Sequence, residues 1–290
     1  MKTKIAIGTV QFGLDYGINN KRGILGSKEL TDLLSFAHEN DINILDTAYN
    51  YGNSEKRLGE ILDGFKLGFD LISKAPKGTN SENFSKYFDE SLERLKIKSF
   101  YGYLIHDFTD FEKDKKIGNL LNEQKEKSKV QNIGFSLYYP EQLEKLFEAK
   151  ISFDLIQIPY NLIDRRFEKY FEELKRNNVE IHIRSVFLQG LFFMNPDELP
   201  SRLKPFEELL KKLIILKNVI SRNIENIAIN FAYQNKFIDY VVVGVEDQNQ
   251  LSKNMNEVKN NLSDTHLQLL CNELEEIKVP IELLNPSNWN

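Results

Sequence analysis

Ile5-Ala6-Ile7-Gly8-Thr9-Val10-Gln11-Phe12-Gly13 is the stretch whose reading decides the fold. Four residues of strand-forming character run straight into a turn, the pattern of a short buried strand feeding a helix. In an open, doubly wound sheet this first turn carries G-x-G-x-x-G, because a dinucleotide pyrophosphate lies against it. Here four non-glycine residues separate Gly8 from Gly13, so that spacing is absent. A parallel sheet without that fingerprint has a second solution, which is to close on itself.

Reading outward, strand-length runs recur at 43–46, 69–74, 100–106, 133–136, 155–158, 180–185 and 240–244. Amphipathic segments separate them at 28–39, 55–62, 82–95, 111–127, 140–148, 166–176, 206–234 and 248–258. Strict strand-helix alternation demands a parallel sheet covered by helices. Eight such units predict an α/β fold, a single (β/α)8 TIM barrel with its active site at the C-terminal face of the strands. A length of 290 residues admits one barrel or two smaller domains. The eight units use nearly all of it, and no Pro-, Gly- or Ser-rich linker divides it, so one barrel domain is expected over 1–290.

Composition narrows the partners. With 38 Lys and Arg against 43 Asp and Glu, the net charge is −5, which argues against a nucleic-acid groove built on bulk positive charge. The lysine-rich stretch 113–129 alternates with Asp114, Glu123 and Glu126 and reads as a solvated helix face. The lone Cys271 forms no internal disulfide and reads as packing in a tail helix, usage that fits a reducing compartment. The N-terminus lacks the apolar core of a signal peptide, and no run reaches the ~20 apolar residues of a membrane span. A cytoplasmic protein without a membrane or nucleic-acid partner is the expectation.

Catalytic groups of such barrels lie at the C-terminal strand ends. Asp46 ends the second run, Lys74 the third and His106 the fourth, and Tyr51 follows Asp46 in the next loop. Because side chains alternate along a strand, Ile44 with Asp46, Ile72 with Lys74, and Leu104 with His106 would point into the barrel. An ammonium beside a phenol would lower its pKa from ~10 and make it a better proton donor. Asp46 would balance Lys74, and His106 would orient a carbonyl oxygen. His182 shares the parity of Arg184 and reads as a hydrogen-bonded interior histidine. His38 and His266 fall in helical patterns.

These residues carry a resemblance. Asp46-Thr47-Ala48-Tyr49-Asn50-Tyr51-Gly52-Asn53-Ser54-Glu55, followed by Leu58-Gly59, resembles the DTAxxYGxSExxLG signature of the aldo/keto reductase family. Ile72-Ser73-Lys74, Ser91-Leu92-Glu93-Arg94-Leu95 and Leu104-Ile105-His106 are similar to further family motifs, and the likeness spans nearly the whole chain. The resemblance implies a catalytic tetrad of Asp46, Tyr51, Lys74 and His106, with Tyr51 the general acid or base. It implies cofactor contacts at Thr9, Ser136, Gln157, Arg184, Ser185, Leu188, Gly190, Gly244, Val245, Gln250 and Asn254. Leu137 replaces an expected Asn. Arg184 replaces a ring that stacks on nicotinamide in many members, a place a planar guanidinium can fill, and pairing with the pyrophosphate is the alternative. Glu246 and Asp247 stand where many members meet the 2′-phosphate of NADP. The family prior places NADP(H) ahead, and these two carboxylates make NAD(H) the alternative. No hairpin precedes the first strand, where many members have one closing the barrel base.

The implied function is an NAD(P)-dependent oxidoreductase that reduces an aldehyde, ketone or sugar carbonyl by hydride transfer, with Tyr51 as proton donor. The second reading is a cofactor-binding regulatory subunit of the same fold with little turnover. A barrel lyase or isomerase would leave the Gln157 and Asn254 matches unexplained. No metal-ligand pattern is present. Loops 15–23, 108–114 and 191–205 are expected to form the pocket, with Tyr16, Phe108 and Phe192 lining it. Trp289 would either cover the pocket or be disordered.

Overall fold

The computed structural model describes residues 3–18 and 22–289. Residues 19–21 of the expected pocket loop lie outside the described residues. The elements run β1 (Ile5–Gly8), α1 (Val10–Gly13), α2 (Ser27–Glu39), β2 (Ile44–Asp46), α3 (Ser54–Phe65), β3 (Asp70–Ala75), α4 (Phe84–Leu95) and β4 (Phe100–Ile105). They continue with α5 (Phe108–Lys113), α6 (Lys116–Glu126), β5 (Val130–Ser136), α7 (Pro140–Glu148), β6 (Leu155–Pro159), α8 (Phe171–Arg176) and β7 (Glu180–Arg184). The last are α9 (Glu207–Ile220), α10 (Ile224–Tyr233), β8 (Tyr240–Gly244), α11 (Gln248–Glu257) and α12 (Asp264–Glu275).

All eight strands pair in parallel and in chain order, and β8 returns to β1 with Ile5 opposite Val241 and Gly8 opposite Gly244. This is the closed (β/α)8 barrel expected from the alternation. The strand parity is also as expected. Ala6, Ile44, Ile72, Leu104, Leu155 and Val242 form a buried cluster of their own inside the barrel. Their strand neighbours Ile5, Leu45, Leu71, Tyr103 and Ile105 belong to the larger layer between sheet and helices.

Three helical expectations change. The pattern at 111–127 is two helices, because Asp114 leaves helical geometry between α5 and α6. The pattern at 206–234 is also two. Ser221 ends α9 in the left-handed region, and the Asn223 side chain caps α10 by accepting from the Asn226 amide. At 166–176 a 3-10 turn, Glu168–Tyr170, precedes α8.

The floor of the barrel is made by side chains from the strand starts. Tyr101 Oη donates to Glu180 Oε1 at 2.6 Å, and Glu180 Oε2 meets His182 Nε2 at 3.0 Å. The Tyr240 ring lies 4.8 Å from His182. His182 is therefore the hydrogen-bonded interior histidine expected. Cys271 packs half-buried against the helix layer, as expected. Among the described residues no helix is long and apolar enough to cross a membrane, and no three His, Cys, Asp or Glu cluster as a metal site.

Candidate active site

Asp46 and Lys74 enter the barrel mouth from the adjacent strands β2 and β3, and His106 follows the last residue of β4. Lys74 Nζ lies 2.6 Å from Asp46 Oδ2 and donates to the Thr47 carbonyl at 2.9 Å. Both side chains are buried, so the ion pair is desolvated and its geometry rigidly specified. Lys74 Nζ sits 5.2 Å from the centre of the Tyr51 ring, and the His106 ring meets Tyr51 edge-on at 5.8 Å. The three strand-end residues and Tyr51 of the following loop therefore form one cluster.

Local sequence explains how Tyr51 is held. The Tyr51 amide bonds the Ala48 carbonyl, and the Ser54 amide bonds the Tyr51 carbonyl. Ser54 Oγ reaches Thr9 O and Thr9 Oγ1 at 3.0 and 2.9 Å, and lies 3.2 Å from Thr47 Oγ1. Glu55 is buried, accepting from Ser73 Oγ at 2.6 Å with Arg94 3.4 Å away. Thr47, Ser54 and Glu55 thus tie β1, β2, β3, α3 and α4 together around the tyrosine loop. Positional reasoning gave none of the three a role.

The electrostatics differ from expectation at Tyr51. Burial, with the Asp46 carboxylate beside it, pushes its phenol well above the ordinary value near 10 rather than below it. The reason is that Lys74 is compensated by Asp46, and the cation acting on the phenol is Arg184. A phenol so placed stays protonated. Burial also lowers Lys74, an effect that Asp46 opposes. Burial, reinforced by Lys74 and Arg184, pushes His106 down to about 3, so its imidazole is neutral near pH 7.

A cleft of about 240 Å³ runs from Asp46, Tyr51 and His106 to Glu246 and Gln250. Thr9, Gln157, Arg184, Ser185, Gly190, Gly244 and Gln250 line it. Ser136, Leu188, Val245 and Asn254 are buried and do not form its wall. Thr9 Oγ1 is spent on the Asp46 carbonyl, and Gln157 Nε2 donates to Asp46 Oδ1 at 2.7 Å. The wall at 185–190 carries unusual backbone: Ser185, Leu188, Gln189 and Gly190 all have positive φ. The Asn254 Nδ2 atom is buried without a hydrogen-bond partner. Arg184 donates to the Leu137 carbonyl at 3.0 Å and stacks on the Tyr138 ring at 4.0 Å.

At the α11 end, Asp247 caps the helix by accepting from the Gln250 amide, and its other oxygen pairs with Arg22 at 2.6 Å. Glu246 lines the cleft, and its amide donates to Gln250 Oε1. Burial, with Asp247 nearby, raises the Glu246 carboxyl.

Two expected pocket residues are not there. Phe108 opens α5 and packs on Phe111 and Phe135, and Phe192 is buried. Each is an apolar ring with a core place to fill, and Tyr138, Phe187 and Phe193 line the cleft instead with Tyr16. Tyr138, two residues beyond β5, was the overlooked one, although a strand-end aromatic was the signal. Trp289 is ordered: its ring packs edge-on against Phe206 at 5.9 Å, and its Nε1 donates to Leu283 O.

Comparison with known proteins comes from profiles and folds. A profile of the Aldo/keto reductase family matches residues 4–273. Curated proteins give no match. An aldo-keto reductase from Bacillus halodurans, in its holo form, superposes with a TM-score of 0.76 at 18% identity, covering 97% of this chain and 95% of that one. A glycerol dehydrogenase from Gluconobacter oxydans gives 0.73 at 18% identity, covering 94% and 92%. At that identity the two structures speak to the fold.

Proposed function

The chain belongs to the aldo/keto reductase family of oxidoreductases, and on that premise we propose that it reduces the carbonyl of a small aldehyde, ketone or sugar with a nicotinamide cofactor, Tyr51 supplying the proton. The observation that carries this reading is the desolvated Lys74–Asp46 pair beneath a protonated Tyr51, with the neutral His106 ring against it.

The residues present fit such a cofactor. The buried, partnerless Asn254 amide calls for a polar ligand. The positive-φ backbone at Ser185, Leu188, Gln189 and Gly190 and the positive dipole end of α11 suit phosphates. Thr9, Ser136, Gln157, Arg184, Ser185, Leu188, Gly190, Gly244, Val245, Gln250 and Asn254 are proposed to hold it, with Ser136, Leu188 and Val245 acting as buried support. When bound, the cofactor supplies the hydride that reduces the carbonyl carbon.

The protein supplies the rest. Tyr51 donates its phenolic proton to the carbonyl oxygen as that oxygen gains charge, and the resulting phenolate takes a proton back from water. Arg184 is the cation that favours the transient phenolate, while Lys74, held by Asp46 with its Nζ 5.2 Å from the centre of the Tyr51 ring, positions the phenol. His106, kept neutral, donates an N–H to the same oxygen and fixes its position. NADPH is the proposed donor. Of the two carboxylates that argue against a 2′-phosphate, Asp247 is paired with Arg22, a cation that it shares with Glu29.

Steady-state assays with NADPH and a panel of reactive aldehydes test the proposal. Tyr51→Phe is expected to cut kcat by ~10²–10⁴-fold, the usual weight of general acid catalysis, while cofactor fluorescence titrations stay as in wild type. A Tyr51→Phe variant that keeps full turnover would remove the proton-donor role. An inert wild type that still binds cofactor would favour the regulatory reading.

A further inference from the structure

Among the described residues Arg184 is the only Lys or Arg side chain that lines the cleft. Its contacts are a backbone carbonyl and an aromatic face. Among the described residues no carboxylate comes within ion-pair distance of it. The acids that line the cleft are committed or remote: Asp46 is paired with Lys74, and Glu246 stands at the α11 end. Asp107, next in sequence to His106, caps α5 and faces Lys77. His106 and Tyr51 are neutral. The reacting end of the cleft therefore carries one uncompensated positive charge, half-buried, where screening is weak.

The direction of that charge matters. Arg184 leans toward the end of β5, through Leu137 O and the Tyr138 ring. Its field is felt by Tyr51, His106, Lys74, Tyr16 and Tyr138. Tyr138 lines the cleft beside that guanidinium, which pulls its phenol below the ordinary value. A guanidinium and a phenol thus share the cleft with Tyr51 and His106.

We propose that Arg184 and Tyr138 form an anion subsite, and that the substrate is a carbonyl compound bearing a carboxylate or phosphate. This rests on the reductase reading above and assigns its substrate class. The planar fork of Arg184 binds either anion in bidentate fashion, and its stacking on Tyr138 fixes the plane of the fork. Arg184 then serves the substrate in addition to the cofactor.

The test compares matched substrates. Wild type is expected to favour 4-carboxybenzaldehyde over the neutral 4-carbamoylbenzaldehyde by about tenfold or more in kcat/KM, the scale of one charge-assisted pair. Glyceraldehyde 3-phosphate against glyceraldehyde is the phosphate arm, and the larger preference names the anion. Arg184→Met should erase the preference, and Arg184→Lys should restore part of it. Equal losses on charged and neutral substrates would assign Arg184 to the cofactor and overturn the subsite. So would a wild type without anion preference. Calorimetric binding of benzoate against benzamide to wild type needs no turnover. Benzoate bound no better than benzamide overturns the subsite even if the reductase reading stands, and preferential benzoate binding by an inert protein keeps the subsite while that reading falls.

Discussion

His106 shows how one side chain is tuned by its place. Its imidazole lies beside two cations at the edge of an apolar barrel, and its folded pKa is pushed from 6.5 to about 3. A histidine depressed in the folded state favours folding fully above its unfolded value. That contribution is lost as pH falls from about 6.5 toward 3, at up to about 1.4 kcal/mol per pH unit, and less because the ring borders an open cleft. Thermal midpoints at pH 6.5 and 5 are therefore expected to fall more for wild type than for His106→Asn. Equal falls would mean that the imidazole titrates normally. The residue scale was legible where chemistry contradicts location: Asp46, Lys74 and His106 are groups that a buried strand end does not otherwise want. It was illegible where a residue suits both core and cleft. Nothing in one-dimensional order separates Phe192, which is buried, from Phe193, which lines the cleft.

The tyrosine loop is positioned by backbone contact between two elements. A Cβ added to Gly13 at the end of α1 would lie 1.9 Å from the Tyr51 carbonyl oxygen and 2.5 Å from the Ser54 amide. Gly52, with φ of +58°, faces Gly13 in return. Gly13→Ala must therefore displace the loop that carries Tyr51, the proposed proton donor. A loss of about 1–3 kcal/mol in stability is expected from overpacking, with kcat falling by about 10² for a shift near 1 Å. Gly64→Ala, in α3 with open space around it, is the control, and should be neutral or gain up to about 1 kcal/mol. If denaturant midpoints and kcat respond alike in the two variants, the close approach does not position Tyr51. Strand positions were readable to within a few residues because apolar runs and parity repeat eight times. The breaks at Asp114 and Ser221 were not readable, since both lie inside sequences whose amphipathic pattern continues across them.

Closure couples the ends of the chain. β1 pairs with β8, so Ile5 depends on Val241, and neither edge is satisfied until the last strand arrives. Unfolding by heat should then be one cooperative transition, the behaviour expected if 1–290 acts as one domain. The cleft spans this seam, lined by Gly8 and Thr9 on one side and Val243 and Gly244 on the other, so a dinucleotide bound there acts on the whole barrel. At a hundred times Kd it contributes about 2.7 kcal/mol, which for a chain of this length raises Tm by roughly 4 °C. With Asp247 paired to Arg22 and outside the cleft lining, the Glu246 carboxylate is the acid of that end that faces a 2′-phosphate. Scanning calorimetry with each nicotinamide at equal concentration should give the larger shift with NADPH, and Glu246→Gln should widen the gap by favouring NADPH further. A larger shift with NADH in wild type would reverse the cofactor assignment. No shift with either, or two separate transitions, would break the link between the seam, the ligand and the fold.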